Sequence, residues 1–257
     1  MRNALSWLIG CVFLAGCAAE SSRYARGLEE SGQAEAYEVT STSSLFVVNQ
    51  NIGTSRQGRA INALSVGRGT NVALVVAGIH GNEQAGIALA ERLVEDAAGG
   101  GWLGNTTFVV VPVLNPDGVA GNRRYNGRNV DLNRNWPSEN RIESASNNGP
   151  SPLSEPESAA LAKYVEGMQP DRVLTLHQPL SCVDWDGPAD SLARRIAAVC
   201  DLPAKQLGSR PGSMGSYLGV DQGIPIITLE LPRSADQQSE AERWEQYGEA
   251  LRVFVRG

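Results

Sequence analysis

From Leu45 to the C-terminus, strand-length apolar runs alternate with segments of helical periodicity, and this alternation constrains the fold more than any other feature. "NVALVVAG" is a continuous run of strand length, and "EQAGIALAERLVEDAAGG" follows with apolar residues at helical spacing and a closing glycine cluster. The unit then recurs. "TTFVVVPVLNPDG" is a second buried strand ending in turn residues, and "SEPESAALAKYVEGMQP" is a helix stopped by proline, with Ser154 and Glu157 at capping-box spacing. "DRVLTLHQP" and "GIPIITLELP" are further strands, followed by the helices "DSLARRIAAVCDLP" and "SEAERWEQYGEALRVFVRG". The expected architecture is one three-layer α/β/α domain over residues 45–257. Its mostly parallel mixed sheet is covered on both faces, and its ligand site lies at the carboxyl ends of the strands. A chain of 257 residues, 42% hydrophobic and 19% charged, is suited to a single core. Its net charge of -6 and dispersed arginines exclude a nucleic-acid surface, which needs clustered cations.

The N-terminus has a different logic. Met1-Arg2 is a short positive region, "ALSWLIGCVFLAG" is too short to span a bilayer comfortably, and small residues precede Cys17. Residues 1–16 are therefore expected to be a signal peptide. Leu14-Ala15-Gly16-Cys17 resembles a bacterial lipoprotein signal, which implies lipidation at Cys17, and residues 17–44 are expected to carry the lipidated cysteine and a flexible tether. Ala18 after the cysteine resembles outer-membrane sorting, so the expected location is the cell envelope, lipid-anchored at the periplasmic face of the outer membrane. Cys182 and Cys200 remain in the exported part. In an oxidising compartment they are either a disulfide or two small buried hydrophobes.

Four polar residues fall at corresponding places in these units. His80 and Glu83 follow the first strand, His177 ends the third, and Glu230 ends the fourth. The chain has only two histidines, and both stand at strand ends where sites form. His80 and Glu83, three residues apart in a strand-to-helix turn, can aim two ligand atoms at one centre. His177 supplies a third corner, which is the ligand set of a zinc site with one open position. Gly81 permits close backbone approach between the two ligands.

"GIHGNE", "NPDG", "DLNRNW", "TLH" and "TLELP", in this order, resemble the zinc carboxypeptidase family over Ile52 to about Pro232. Within it, "HQPLSCVDWDG" and "PGSMGSYLGVDQGIPIITLELP" resemble murein peptide amidases, which cut the bond between γ-D-glutamate and meso-diaminopimelate. The resemblance implies a carboxypeptidase-like fold and one zinc ion per chain, held by His80, Glu83 and His177. It makes Glu230 the general base and Arg124 the cation facing the oxyanion, a task suited to a permanently charged donor. It gives Asn133 and Arg134 the terminal carboxylate of the substrate, and Asp131 the orientation of His80. The implied partners are peptidoglycan stem peptides or muropeptides, with the membrane reached through the N-terminal lipid. Two positions depart from the pattern. Gln178 stands where related amidases carry an acidic residue, and Tyr217 lies where pancreatic enzymes have a substrate-covering tyrosine but reads as a packing residue. Two other classes compete with the peptidase. One is the aspartoacylase-related deacylases, which share "HGNE" and "DLNR" but are disfavoured by the full "NPDG" and "TLELP"; the other is an inactive wall-binding lipoprotein, disfavoured by the intact polar set.

Overall fold

The computed structural model describes residues 34–37, 45–143 and 146–257. The expected signal peptide, Cys17 and most of the expected tether lie outside the described residues. Within the expected tether, Ala34–Tyr37 forms strand β1, paired antiparallel with β2 (Val47–Thr54). Residues 17–44 are therefore not tether throughout, because these four residues are held by backbone pairing, which leaves no periodic signal in so short a stretch.

The remaining strands are β3 (Ala60–Val66), β4 (Asn71–Val76), β5 (Thr106–Val111), β6 (Arg172–His177), β7 (Leu180–Asp186) and β8 (Ile226–Pro232). They form one sheet in the order β1-β2-β3-β5-β4-β6-β8-β7. The central strands β5, β4, β6 and β8 run parallel, and the outer pairs are antiparallel. Every residue of β5 and β6 is buried, as is all of β4 after Asn71. Strands buried on both faces are predominantly apolar, as Val72–Val76 and Phe108–Val111 are, and β6 adds buried Arg172, Thr175 and His177.

Helices cover both faces. On one, α1 (Ala85–Gly100) and α5 (Glu240–Arg256) bury Leu89, Leu93, Tyr247, Leu251 and Phe254 against Val75, Phe108 and Leu229. On the other, α3 (Pro156–Met168) buries Leu161, Val165 and Met168 against Leu74, Val109 and Val173. Two shorter helices among the described residues are α2 (Pro116–Ala120) and α4 (Asp190–Ala197). Helix α1 ends on Gly101 in the left-handed region (φ 62°), as its glycine cluster foretells. Ser239 and Glu242 close a full capping box on α5.

The capping box expected at Ser154 and Glu157 does not form. Glu155 is the N-cap residue and Pro156 opens the helix, where its missing N–H costs nothing. Glu157 instead accepts from the Arg56 N–H (2.9 Å) and Asn126 Nδ2 (3.1 Å), while Ser154 Oγ accepts from Asn135 Nδ2 (3.0 Å).

Nor is there a Cys182–Cys200 disulfide; both are free, buried thiols. Alternation along β7 explains this. Val183 and Trp185 point into the apolar layer that also contains Cys200, so Cys182 points to the opposite face of the sheet. Of the disulfide and the pair of buried hydrophobes, the second is the one observed.

Candidate active site

The carboxyl ends of β4, β6 and β8 open on a cleft of about 450 Å³ whose walls include His80, Glu83, Arg124, Asn133, Arg134, His177 and Glu230. Each side chain arrives from a different structural cause. After β4 the chain turns sharply through Gly78 (φ 58°) and enters α1, with the Glu83 N–H donating to the His80 carbonyl at 3.1 Å. Gly81 lies so close to helix α2 that a Cβ there would stand 1.9 Å from the Gly118 carbonyl carbon. The turn is pinned from outside by Asn115, whose Nδ2 donates to the Ile79 carbonyl (3.2 Å) and whose Oδ1 caps α2 by accepting from the Gly118 N–H (2.8 Å). Asn115 is fully buried and is not among the residues expected at the site. Its only signal is the first letter of "NPDG".

His177 and Glu230 are direct neighbours across the β6–β8 ladder. Leu229 and Leu231 face the apolar layer, so Glu230 between them faces the cleft, where its Oε2 accepts from the Leu180 N–H at 3.2 Å. Burial pushes the Glu230 carboxyl up, against the opposing pull of His177.

His80, Glu83 and His177 are all buried, and one ligand atom from each lies within 4.8 Å of the others. Glu83 Oε1 is 2.9 Å from His80 Nδ1 and its Oε2 is 2.9 Å from His177 Nδ1, with the two Nδ1 atoms 3.2 Å apart. Burial opposes ionisation of Glu83, but hydrogen bonds to the two histidines outweigh it and hold the carboxyl well below the usual carboxylate range. On the far side of the His80 ring, Nε2 lies 3.1 Å from Asp131 Oδ1. A proton on Nε2 satisfies that contact and leaves the Nδ1 lone pair facing the centre, the arrangement in which a carboxylate orients a zinc-ligating histidine. Two imidazoles and a carboxylate, converging from buried positions with one side open to the cleft, fit zinc.

Around this centre stand the polar groups of residues 124–134. Arg124 donates from Nε (3.1 Å) and Nη2 (3.0 Å) to Asp131 Oδ2, and its Nη1 reaches Glu83 Oε1 at 3.3 Å. Asp131 Oδ1 also accepts from the Asn133 N–H (2.9 Å), capping the short 3₁₀ turn Leu132–Arg134 that presents Asn133 and Arg134 to the cleft. The Gln178 N–H donates to Glu83 Oε2 at 3.2 Å. Tyr217 does not line the cleft; its ring stacks on Trp136 with centroids 5.8 Å apart, a packing role.

Residues 34–183, more than half of the chain, match the zinc carboxypeptidase family. This chain is a zinc carboxypeptidase. As a member of that family it is a zinc-using metallopeptidase, and the His80–Glu83–His177 triad is the group able to hold the metal. It is 33% identical over 188 residues to murein peptide amidase A of Escherichia coli K12, covering 65% of this chain and 74% of that relative. The crystal structure of murein-tripeptide amidase from Escherichia coli O157 superposes with a TM-score of 0.67 at 28% identity, over 81% of this chain and 92% of that one. Bovine thrombin-activatable fibrinolysis inhibitor shares the fold (TM-score 0.70, 22% identity, 82% and 88% coverage). The expected carboxypeptidase-like α/β fold is therefore the observed one.

The cleft of this zinc carboxypeptidase extends beyond the expected residues. On the wall formed by β7 it is lined by Asp184 and Asp186, which lie within the stretch "HQPLSCVDWDG" but receive no individual role from the sequence. Both are buried. Burial raises the Asp186 carboxyl to about 6, with the Asp184 charge adding to the effect.

Proposed function

We propose that this zinc carboxypeptidase hydrolyses peptides derived from peptidoglycan, at the bond between γ-D-glutamate and meso-diaminopimelate. The observation that carries this reading is the convergence of the His80–Glu83–His177 triad, Glu230 and the Asn133–Arg134 pair on one cleft, in a chain one-third identical to murein peptide amidase A. Zinc, when bound, polarises a carbonyl and makes water more acidic.

The chain's own residues do the rest. Glu230, its pKa raised by burial, accepts a proton from the attacking water and returns it to the leaving amine; a carboxyl poised above its usual range serves both transfers. Arg124 faces the oxyanion that develops on the carbonyl, and its bonds to Asp131 hold the guanidinium in place before the reaction starts. Asn133 and Arg134 receive the terminal carboxylate of the substrate, with the Asn133 side chain fixed by accepting from the Met214 N–H at 3.0 Å. Asp131 keeps the His80 ring in the ligating tautomer.

The test is to incubate the zinc-loaded chain with L-Ala-γ-D-Glu-meso-diaminopimelate, ordinary C-terminal dipeptides and N-acyl amino acids. Release of diaminopimelate supports the reading. Turnover of the acyl amino acids alone places the chain among deacylases and overturns it.

The N-terminal residues supply a second reading, that the enzyme works in the cell envelope. Its support is the apolar run before Leu14-Ala15-Gly16-Cys17. Metabolic labelling with a fatty acid is expected to mark the wild type and not Cys17→Ser; equal labelling refutes lipidation at that residue.

A further inference from the structure

Arg124 and Asp131 stand seven residues apart, yet the Arg124 guanidinium bonds the Asp131 carboxylate through two nitrogens, so the chain between them must fold back on itself. The residue that folds it is Asn126, which is fully buried and does not line the cleft. Its N–H donates to the Val130 carbonyl at 3.0 Å, and its carbonyl accepts from the Asn129 N–H at 3.0 Å. Its side-chain Oδ1 accepts from the N–H groups of both Arg128 and Val130, each at 3.0 Å. An asparagine side chain that bonds the backbone just ahead of it shapes a turn of this kind. Asn129 closes the turn in the left-handed region (φ 64°), which asparagine tolerates.

The other end of the same amide reaches out of the loop. Nδ2 donates to Glu155 Oε2 (2.9 Å) and Glu157 Oε2 (3.1 Å), two fully buried carboxyls at the start of α3. Two acceptor sites and two N–H donors are the whole capacity of an asparagine side chain, and here all four are used. The partners also fix which way round it sits, since backbone N–H groups face the oxygen and carboxyls face the nitrogen. Aspartate and leucine, of similar size, lack the two donors. At the far end of the loop Asp131 is held independently: its N–H donates to the Asn147 carbonyl (2.8 Å), and its own carbonyl accepts from the Arg134 N–H (2.9 Å). The backbone of Arg124 is held more loosely, with Asn115 Nδ2 donating to its carbonyl at 3.3 Å. A change in the shape of the loop therefore falls on the Arg124 end.

We infer that Asn126 is a positioning residue for the reaction: by tying the loop to itself and to α3, it holds the Arg124 guanidinium where the oxyanion develops. It does so from outside the cleft, bonded to none of His80, Glu83 and His177. A donor aimed in advance stabilises developing charge because nothing has to reorganise as the charge forms. A loop free to relax lets the cation drift, and the loss falls on the transition state and not on the binding of substrate. The inference rests on the proposed oxyanion role of Arg124, and it is independent of which peptide bond is cleaved.

A double-substitution cycle on the full, zinc-loaded chain tests it, with the substrate, of those named above, that wild type turns over. Asn126→Asp keeps the size and the acceptor side but sets a third carboxyl against Glu155 and Glu157. Its kcat is expected to fall by about 10–100-fold, with KM within about threefold of wild type and zinc affinity unchanged by chelator competition. Arg124→Gln alone is expected to lose about 10²–10³ in kcat, the usual cost of an oxyanion donor. Added to Arg124→Gln, the change at Asn126 is expected to cost less than about threefold, because residues that act through one another do not add. A merely structural asparagine costs the same factor in both backgrounds, and that result overturns the inference while the role of Arg124 stands. A fall in zinc affinity also overturns it, since the loop would then act through Asp131 and His80. If Arg124→Gln turns over as fast as wild type, the oxyanion reading fails and takes the inference with it. Where Asn126→Asp does not fold, Asn126→Ser, whose hydroxyl keeps one donor and an acceptor, carries the same cycle with the same deciding outcomes.

Discussion

The cleft has two acidic ends with opposite electrostatics. At the carboxyl edge of the sheet, burial opposes ionisation of Glu83 and Asp131, but hydrogen bonds from imidazoles outweigh it and hold both well below the usual carboxylate range. On β7, burial meets no such compensation at Asp186, and its carboxyl rises to about 6. Similar side chains at similar depth reach opposite states because Glu83 and Asp131 are surrounded by partners and Asp186 is not. The first end is complete within the chain except for its metal. The second end holds a buried carboxyl, Asp186, that no side chain of the described residues compensates.

The sharpest way to break this contrast is at the residue between the two ends. Glu230→Gln keeps the shape and the Leu180 contact and removes the base. Turnover is expected to fall by about 10²–10⁴, the usual share of general acid–base catalysis, with zinc content unchanged by metal analysis. Retained turnover would mean that another group moves the proton. Asp131→Asn attacks the satisfied end. It removes the carboxylate that fixes the His80 tautomer, so zinc affinity, measured by chelator competition, is expected to fall by about 10–100-fold. An unchanged affinity would show that His80 needs no external orientation.

The two ends also differ in how legible they are in the amino-acid sequence. His80, Glu83, His177 and Glu230 end or follow strands that are buried on both faces, and polar letters after continuous apolar runs stand out. Strand β7 is harder to see. Leu180–Asp186, "LSCVDWD", alternates Val183 and Trp185 toward the apolar layer with Cys182, Asp184 and Asp186 toward the cleft. A strand whose second face lines a polar cleft carries carboxylates where a sheet normally carries neutral residues, so its pattern resembles a loop. The β2–β3 hairpin is concealed for a related reason, since its solvent side mixes Asn, Gly and Thr with the buried positions. Sequence leaves Cys182 and Cys200 open between a bridge and two buried thiols because it gives the number of thiols and not the face of the sheet each one occupies. Ser154 and Glu157 have the spacing of a capping box, yet Pro156 between them starts the helix one residue too late for it.

The uncompensated Asp186 makes a prediction about stability. Asp186 has an ordinary pKa of 3.8 and a folded value of about 6. Below the unfolded value both states hold the proton and the carboxyl imposes no penalty. As pH rises through the folded value the unfolded chain releases the proton more readily, and stability is lost. A shift of about two units corresponds to about 3 kcal/mol at most; screening by the open cleft reduces this to about 1–2 kcal/mol above pH 6. Asp186→Asn is therefore expected to be more stable than wild type in urea at pH 7.5, with the difference shrinking toward pH 4.5. A gain independent of pH would mean that packing, and not charge, separates the two proteins.

The smallest expected effect concerns the two thiols, which lie on opposite faces of the sheet at this same end of the molecule. Cys182 is raised to about 11 by burial, with the charges of Glu230 and Asp184 adding to it, so it stays protonated and unreactive at neutral pH. Cys200 is buried in the apolar layer with Val183 and Trp185. Reductant is expected to leave the melting temperature unchanged, and alkylation of the chain unfolded without reductant should add two labels across Cys182 and Cys200. Loss of both labels, restored by reductant, would require β7 to present Cys182 to the same side as Val183. That reversal would also carry Asp184 and Asp186 out of the cleft, because alternate residues on a strand change faces together. Counting thiols is thus a test of the acidic wall itself.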